Sequence, residues 1–384
     1  MWQTIQSAVS RKSCEGSTER LLQLCGGYFS LYIFTGVLAK YFVGESSYVK
    51  MSDIQYTVYN TWGGSLICLV VVLLLGWYKL KSTHCAKLFG CAVPAEYLYI
   101  IPSGICTAVV IPTTTLMYLL PISVMVAMVI MRASIIIVSR LVDTVQIRQG
   151  LLKKKVYFEE NVAMCLAIAA VAVQLGSAKK GDFNLVGNAA AMAILGSYIS
   201  AYAIRIYIMN YYKNTRPKGA EQDTKGFFAI EQLAASSVML LVCCWIITLP
   251  SAHAAALAGT AAQPRDVLGL FRDSFANPHP KWFLALGAGM FYGVSAFFSV
   301  FLFMFKGRTA TFAGLVNRLT SLIAGTAATL ITWAAFGGKF PKPPDWISLL
   351  VMFAAIYYLG LAEKRRTAEL AASRELEPCN PAKA

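Results

Sequence analysis

Charge is what this sequence has least of, and negative charge is the scarcer sign. Only 14% of the 384 residues are charged, with 19 acidic residues against 34 basic ones. A soluble domain carries about 25% charged residues, so the deficit argues against a water-facing globule. Histidine is nearly absent as well. His84, His253 and His279 all lie between apolar runs and keep no metal-ligand spacing with the ten cysteines. Most of those cysteines (Cys68, Cys106, Cys165, Cys243 and Cys244) sit inside apolar runs, as small buried hydrophobes rather than a disulfide scaffold. No GxSxG, HExxH or Walker A sequence occurs, so no catalytic residue, cofactor or metal is expected and the chain does not read as an enzyme. The short segments of alternating polarity that mark an outer-membrane barrel are missing too. The opening MWQTIQSAVS lacks the apolar core of a cleaved signal, so the first hydrophobic helix is expected to persist. There is no N-x-[ST] sequon, and Cys379 is too far from the end for prenylation.

Apolar runs of membrane-spanning length fill the chain instead. A helix needs about 20 residues to cross about 30 Å of hydrocarbon. Ten such runs are predicted, at 21–43, 57–79, 94–114, 119–141, 162–178, 184–208, 226–249, 282–305, 308–331 and 346–362. The net charge of +15 is then topological. Loops on the N-terminal side carry 22 Lys and Arg against 8 on the other, which places both termini in the cytoplasm and requires an even number of crossings. No nucleic-acid motif accompanies the basic residues, and no nucleic-acid partner is expected. The stretch 250–281 reads as a loop holding one short amphipathic helix, DVLGLFRDSF, and 178–183 as a turn. Segment 1–20 and the tail 363–384 read as cytoplasmic, the tail frayed.

The chain also repeats itself. VIMRASIIIVSRLVD in the fourth run is similar to LVNRLTSLIAGTAAT in the ninth, setting Arg132 over Arg318. Five helices per half make the halves enter the membrane from opposite sides, so the expected fold is all-α, with ten transmembrane helices in two inverted five-helix repeats, 21–178 and 184–362. A weaker correspondence sets Lys40 against Arg205.

Arg132 and Arg318 carry the strongest functional signal. A mid-membrane charge costs about 2.5–3.5 kcal/mol to insert, which calls for a partner or a ligand. Thr311, Gly314, Ser321 and Gly325 share the helical face of Arg318, and Met125, Met128 and Ser139 that of Arg132, so neither face is lipid-like. The substrate-binding candidates are Arg132 and Arg318 with Lys40, Arg205, Tyr32, Tyr202, Ser321 and Asn317. Lys40 and Arg205 also read as cations reaching to headgroups. The pairs Tyr28/Tyr32 and Tyr198/Tyr202 read as a stacking surface or as packing. Glu231, the one acid well inside a span, reads as a proton relay or as a counter-ion. GxxxG at Gly289–Gly293 reads as intramolecular packing in preference to dimerisation.

TLMYLLPISVMVAMVIMRASIIIVSRLVD, the basic loop after it and a fifth helix ending QLGS resemble the drug/metabolite transporter superfamily, best over 115–177. AGLVNRLTSLIAG is similar to the signature of its nucleotide-sugar and triose-phosphate branch, with Arg318 where a Lys is often seen. The resemblance runs from about residue 21 to 362. It implies an alternating-access transporter, here read as one for a small polar anion such as a nucleotide sugar or phosphorylated compound; the scarcity of acids within the spans favours exchange or facilitated movement over proton coupling. An exporter of amino acids or amphipathic drugs, and a non-transporting scaffold or receptor, remain alternatives. The expected partners are a small-molecule substrate and the lipid bilayer, with the chain monomeric or homodimeric.

Overall fold

The computed structural model describes residues 18–43, 48–80, 82, 85–88, 91–151, 157–176, 185–215, 223–249, 267–303, 310–338 and 340–376. The turn at 178–183, nearly all of segment 1–20, the loop 250–266 and the last residues 377–384 lie outside these. In chain order the helices are α1 (Thr18–Phe42), α2 (Asp53–Leu74), α3 (Tyr97–Leu119), α4 (Val124–Arg148), α5 (Phe158–Gly176), α6 (Ala189–Asn214), α7 (Thr224–Thr248), α8 (Val267–Ala276), α9 (Trp282–Phe303), α10 (Ala310–Phe336) and α11 (Pro343–Leu376). One antiparallel hairpin, β1 (Cys85–Leu88) with β2 (Cys91–Pro94), interrupts the helices among the described residues. Among the same residues nine helices are long and apolar enough to cross a membrane, the make-up of a multi-pass membrane protein. The outer surface agrees, with Leu74, Leu241 and Leu350 each over 60% exposed.

Helix starts depart from the hydrophobic runs because capping side chains set them. Ser52 accepts from the Gln55 amide, Ser123 from Val126, Asn188 from Ala191 and Asp223 from Gly226. Ser52 therefore starts α2 four residues before the expected span, at polar residues that hydropathy reads as loop. Ser123, just after Pro121, moves α4 inward from 119 to Val124. At the other end of the chain the frayed tail is not observed up to Leu376. α11 continues as one helix because its charged turns have partners: Arg365 pairs with Glu159 and Glu369 accepts from the Tyr157 hydroxyl at 2.9 Å. The short helix in the 250–281 loop is present as α8. Its Ser274 carbonyl accepts from the Tyr59 hydroxyl at 2.8 Å, and its Arg272 donates to the Ile246 and Leu249 carbonyls that end α7.

The principal helix contacts are α2 with α9, α5 with α11, α3 with α6 and α7, α1 with α9 and α10, and α4 with α5, α6 and α10. The tightest of these is built on glycine. A Cβ on Gly63 would stand 1.9 Å from the Leu286 carbonyl oxygen, and one on Gly289 2.1 Å from that of Asn60. A Cβ on Gly293 would stand 2.4 Å from the Gly64 carbonyl oxygen. The GMFYG glycines are thus used inside the chain, against TWGG of α2. At one end of the bundle Phe227, Phe228, Phe297, Tyr212 and Met209 form a closed apolar plug, with the Phe228 and Phe297 rings 4.4 Å apart.

Gly63→Ala or Gly289→Ala should lower stability by about 1–3 kcal/mol through forced separation of the two backbones, measured by thermal unfolding in detergent. Gly287→Ala, which meets nothing within 4 Å, should stay within about 0.5 kcal/mol of the parent.

Candidate functional site

Arg132 lies two turns inside α4, 4% exposed. Its Nη2 donates to the Tyr28 hydroxyl at 3.1 Å and the Tyr32 hydroxyl at 2.9 Å, both from α1. The guanidinium also stands 5.5 Å from the Tyr32 ring centroid. The chain of bonds continues outward. Tyr32 and Tyr118 share a hydrogen bond at 2.5 Å, and the Tyr118 hydroxyl donates to the Met128 sulfur at 3.4 Å. Met128 in turn packs on Gly325, where a Cβ would meet it at 2.6 Å. Tyr28 and Tyr32 are therefore more than packing, since four-residue spacing on one helix face delivers two hydroxyls to one guanidinium.

Arg318 comes from α10 and is 5% exposed. It donates to the Ile135 carbonyl at 3.5 Å and to the Ser139 hydroxyl, both on α4 beyond Arg132. Arg132, Tyr198, Tyr202 and Asp143 are all within its electrostatic reach. The two arginines expected from the sequence thus share one buried centre, and neither has a carboxylate at ion-pair distance among the described residues. The Nε of each is buried without a hydrogen-bond partner. Asn317 next door donates to the Ser299 hydroxyl at 3.2 Å, leaving its own Oδ1 unpaired. Ser321 donates at 2.9 Å to the carbonyl of Arg318, so its proton is spent within its own helix. Thr311 and Gly314 have side-chain positions outside the described residues.

Arg205 and Lys40 are not part of this pair. Arg205 is buried and forked onto Glu231, Nε to Oε1 and Nη2 to Oε2, each at 2.8 Å, while the Ser103 hydroxyl donates to Oε1 at 2.6 Å. A cation reaching for headgroups would be exposed; this one is held by a carboxylate that is itself 0% exposed. Glu231 is accordingly the counter-ion of its two sequence readings. Lys40 caps α3 by donating to the Leu120 carbonyl at 2.9 Å. It lines a cavity of about 980 Å³ between the ends of α1, α3, α4, α6 and α10, with Asp53, Ser123, Asn188, Thr329 and Thr332 also on the wall. The arginines are not on that wall.

Positions along the helices match in pairs. Arg132 stands eight residues after Val124 and Arg318 eight after Ala310. Tyr28 stands ten after Thr18 and Tyr198 nine after Ala189. Gly104 and Gly289 each stand seven after the starts of α3 and α9, Tyr97 and Trp282. A Cβ on Gly104 would meet the Glu231 carbonyl at 2.7 Å, as one on Gly289 would meet that of Asn60. Lys40 and Arg205 do not match, standing 22 and 16 residues from their helix starts. Counted from Tyr32 and Tyr202, Arg205 falls opposite Thr35 and not opposite Lys40. Sequence reasoning passed over Tyr118, Ser103 and Tyr292, the last within electrostatic reach of Tyr32, Tyr202 and Arg205. Tyr118 fell outside the third run as delimited by hydropathy, and nothing but its hydroxyl distinguished it.

No family model matches this chain, and no curated protein does. A crystal structure of a protein bearing no functional name is similar in fold, at a TM-score of 0.50 and 15% identity, over 91% of this chain and 99% of the other.

Glu231→Ala should destabilise the protein by about 3–5 kcal/mol, because it leaves the Arg205 charge buried and unpaired. Replacing both partners together, Arg205→Met with Glu231→Leu, should cost less than the single change, read by thermal unfolding of the three variants.

Proposed function

We propose that this chain is a secondary transporter working by alternating access on a small polar anion, with nucleotide sugars and phosphorylated metabolites first among its substrates. The observation that carries the reading is the buried pair Arg132 and Arg318, each with an unused Nε donor and neither with a carboxylate at ion-pair distance among the described residues. Glu231 neutralises Arg205 alone. The centre of the bundle therefore keeps a positive field in surroundings of low dielectric, where an anion is bound far more strongly than in water. Guanidinium forks suit phosphate and carboxylate geometry, and the tyrosine rings around them offer flat faces to a base or sugar.

The architecture fits that mechanism. We take α5, 19 residues long, as a tenth crossing beside the nine apolar spans, with α8 at the interface. The ten then divide into two inverted halves, α1–α5 and α6, α7, α9–α11. The helix contacts support this division, because exchanging the halves turns α1–α10 into α6–α4, α1–α9 into α6–α3, and α2–α9 into α7–α3, all of which are present. The matched positions of arginines, tyrosines and glycines support it too. The excess of basic loop residues on the N-terminal side supports both termini in the cytoplasm, so the cavity beside Lys40 faces the opposite compartment. This reading keeps the resemblance to the drug/metabolite transporter superfamily.

Purified protein screened against nucleotide sugars, sugar phosphates, carboxylates, amino acids and cationic drugs tests the proposal. An anion class present at 100 times its Kd should add about 2.7 kcal/mol of stability, and Arg132→Ala and Arg318→Ala should each abolish that gain. Counterflow of the same anion in proteoliposomes should fall with it. Stabilisation by amino acids or cations alone, or full transport by either alanine variant, would refute the assignment.

A further inference from the structure

The two tyrosine pairs are built alike and used differently. Tyr28 and Tyr32 have ring centroids 5.0 Å apart at 52°; Tyr198 and Tyr202 have theirs 5.3 Å apart at 49°. Both pairs are buried, and each begins between two and three turns into its helix. The first pair holds Arg132 through both hydroxyls. The hydroxyls of the second pair have no hydrogen-bond partner among the described residues: Arg205 stands 5.8 Å from the Tyr202 ring centroid without bonding its hydroxyl, and Tyr198 lies within electrostatic reach of both Arg132 and Arg318. Arg318 meanwhile rests on a long bond to the Ile135 carbonyl and on Ser139, with its Nε unpaired.

We infer that Tyr198 and Tyr202 form a second arginine seat, which Arg318 occupies when the protein opens to its other side and Arg132 leaves Tyr28 and Tyr32. The inference rests on the alternating-access reading. In an inverted repeat the two halves exchange conformations between the two states, so a contact made by one half now is made by its counterpart then. Here α4 has its arginine seated on α1, and the counterpart contact, α10 on α6, is unmade. The present state is open at the cavity beside Lys40 and closed by the Phe228–Phe297 plug at the other end.

The two seats therefore bias the equilibrium in opposite directions, and this can be read without any substrate. Two reporters are placed in a cysteine-depleted background: Thr332→Cys on the cavity wall and Met209→Cys in the plug. Each is labelled with a small maleimide, and the ratio of the two rates is taken. Tyr28→Phe with Tyr32→Phe removes the seat of the present state, so labelling should move from Thr332→Cys to Met209→Cys, with the ratio changing roughly tenfold for the loss of charge-assisted hydrogen bonds. Tyr198→Phe with Tyr202→Phe should move it the opposite way by a similar factor. Arg318→Gln should cancel the second effect and leave the first.

Shifts of the same sign, no shift from the Tyr198/Tyr202 change, or persistence of that shift in Arg318→Gln would overturn the exchange. A joint rise of both rates, the mark of loosened packing, would overturn it also. Opposite shifts together with silence across the anion panel would refute the substrate class while leaving the exchange standing. Anion stabilisation without opposite shifts would do the reverse.

Discussion

A guanidinium in the middle of an apolar bundle has to be solvated by something, and at Arg132 that something is phenol. Two tyrosine hydroxyls accept from it and a ring faces it. Transferring a charge from water to such a place is costly, and neutral acceptors repay less of the cost than a carboxylate would. Much of the structure answers to that constraint. α1 must bring its tyrosines to α4 at four-residue spacing, α3 must end near enough for Tyr118 to continue the chain, and α10 must be small at Gly325 to admit Met128.

The contrast with Arg205 shows what the chain does when a charge is merely to be buried. There a carboxylate sits in a forked pair, a serine fills its remaining site, and a glycine brings α3 against the carbonyl of the same glutamate. Asn60, seven residues into α2 as Glu231 is seven into α7, takes a neutral partner, Thr115, where Glu231 takes part in an ion pair. Such a pair contributes to specificity of packing more than to stability, and here it fixes α6 and α7 against α3.

Much of this was legible beforehand, and the failures have physical causes. Run length made the chain legible as a multi-pass helical membrane protein, because hydrocarbon thickness sets that length; nine of the described helices are long and apolar enough to cross. Arg132 and Arg318 stood out because charge at that depth is rare. Helix starts were misplaced where Ser52, Ser123, Asn188 or Asp223 caps the first turn, since hydropathy is blind to caps. The continuation of α11 past residue 362 was missed because its stabilising partners, Glu159 and Tyr157, lie some 200 residues away in sequence. Lys40 and Arg205 were grouped with the site on charge alone. What separates them from it is the nearest carbonyl and the nearest carboxylate, which only packing reveals. Tyr118 joins the site by the same route.

The length of α11 has a consequence of its own. At 34 residues it is about 51 Å long, against about 30 Å of hydrocarbon, so its final turns stand clear of the bilayer as a rigid spur anchored to the start of α5. In a projection image of single particles, a disc of detergent hides the loops and leaves up and down hard to tell apart. The spur marks one end, and a rigid binder raised against it would orient every particle.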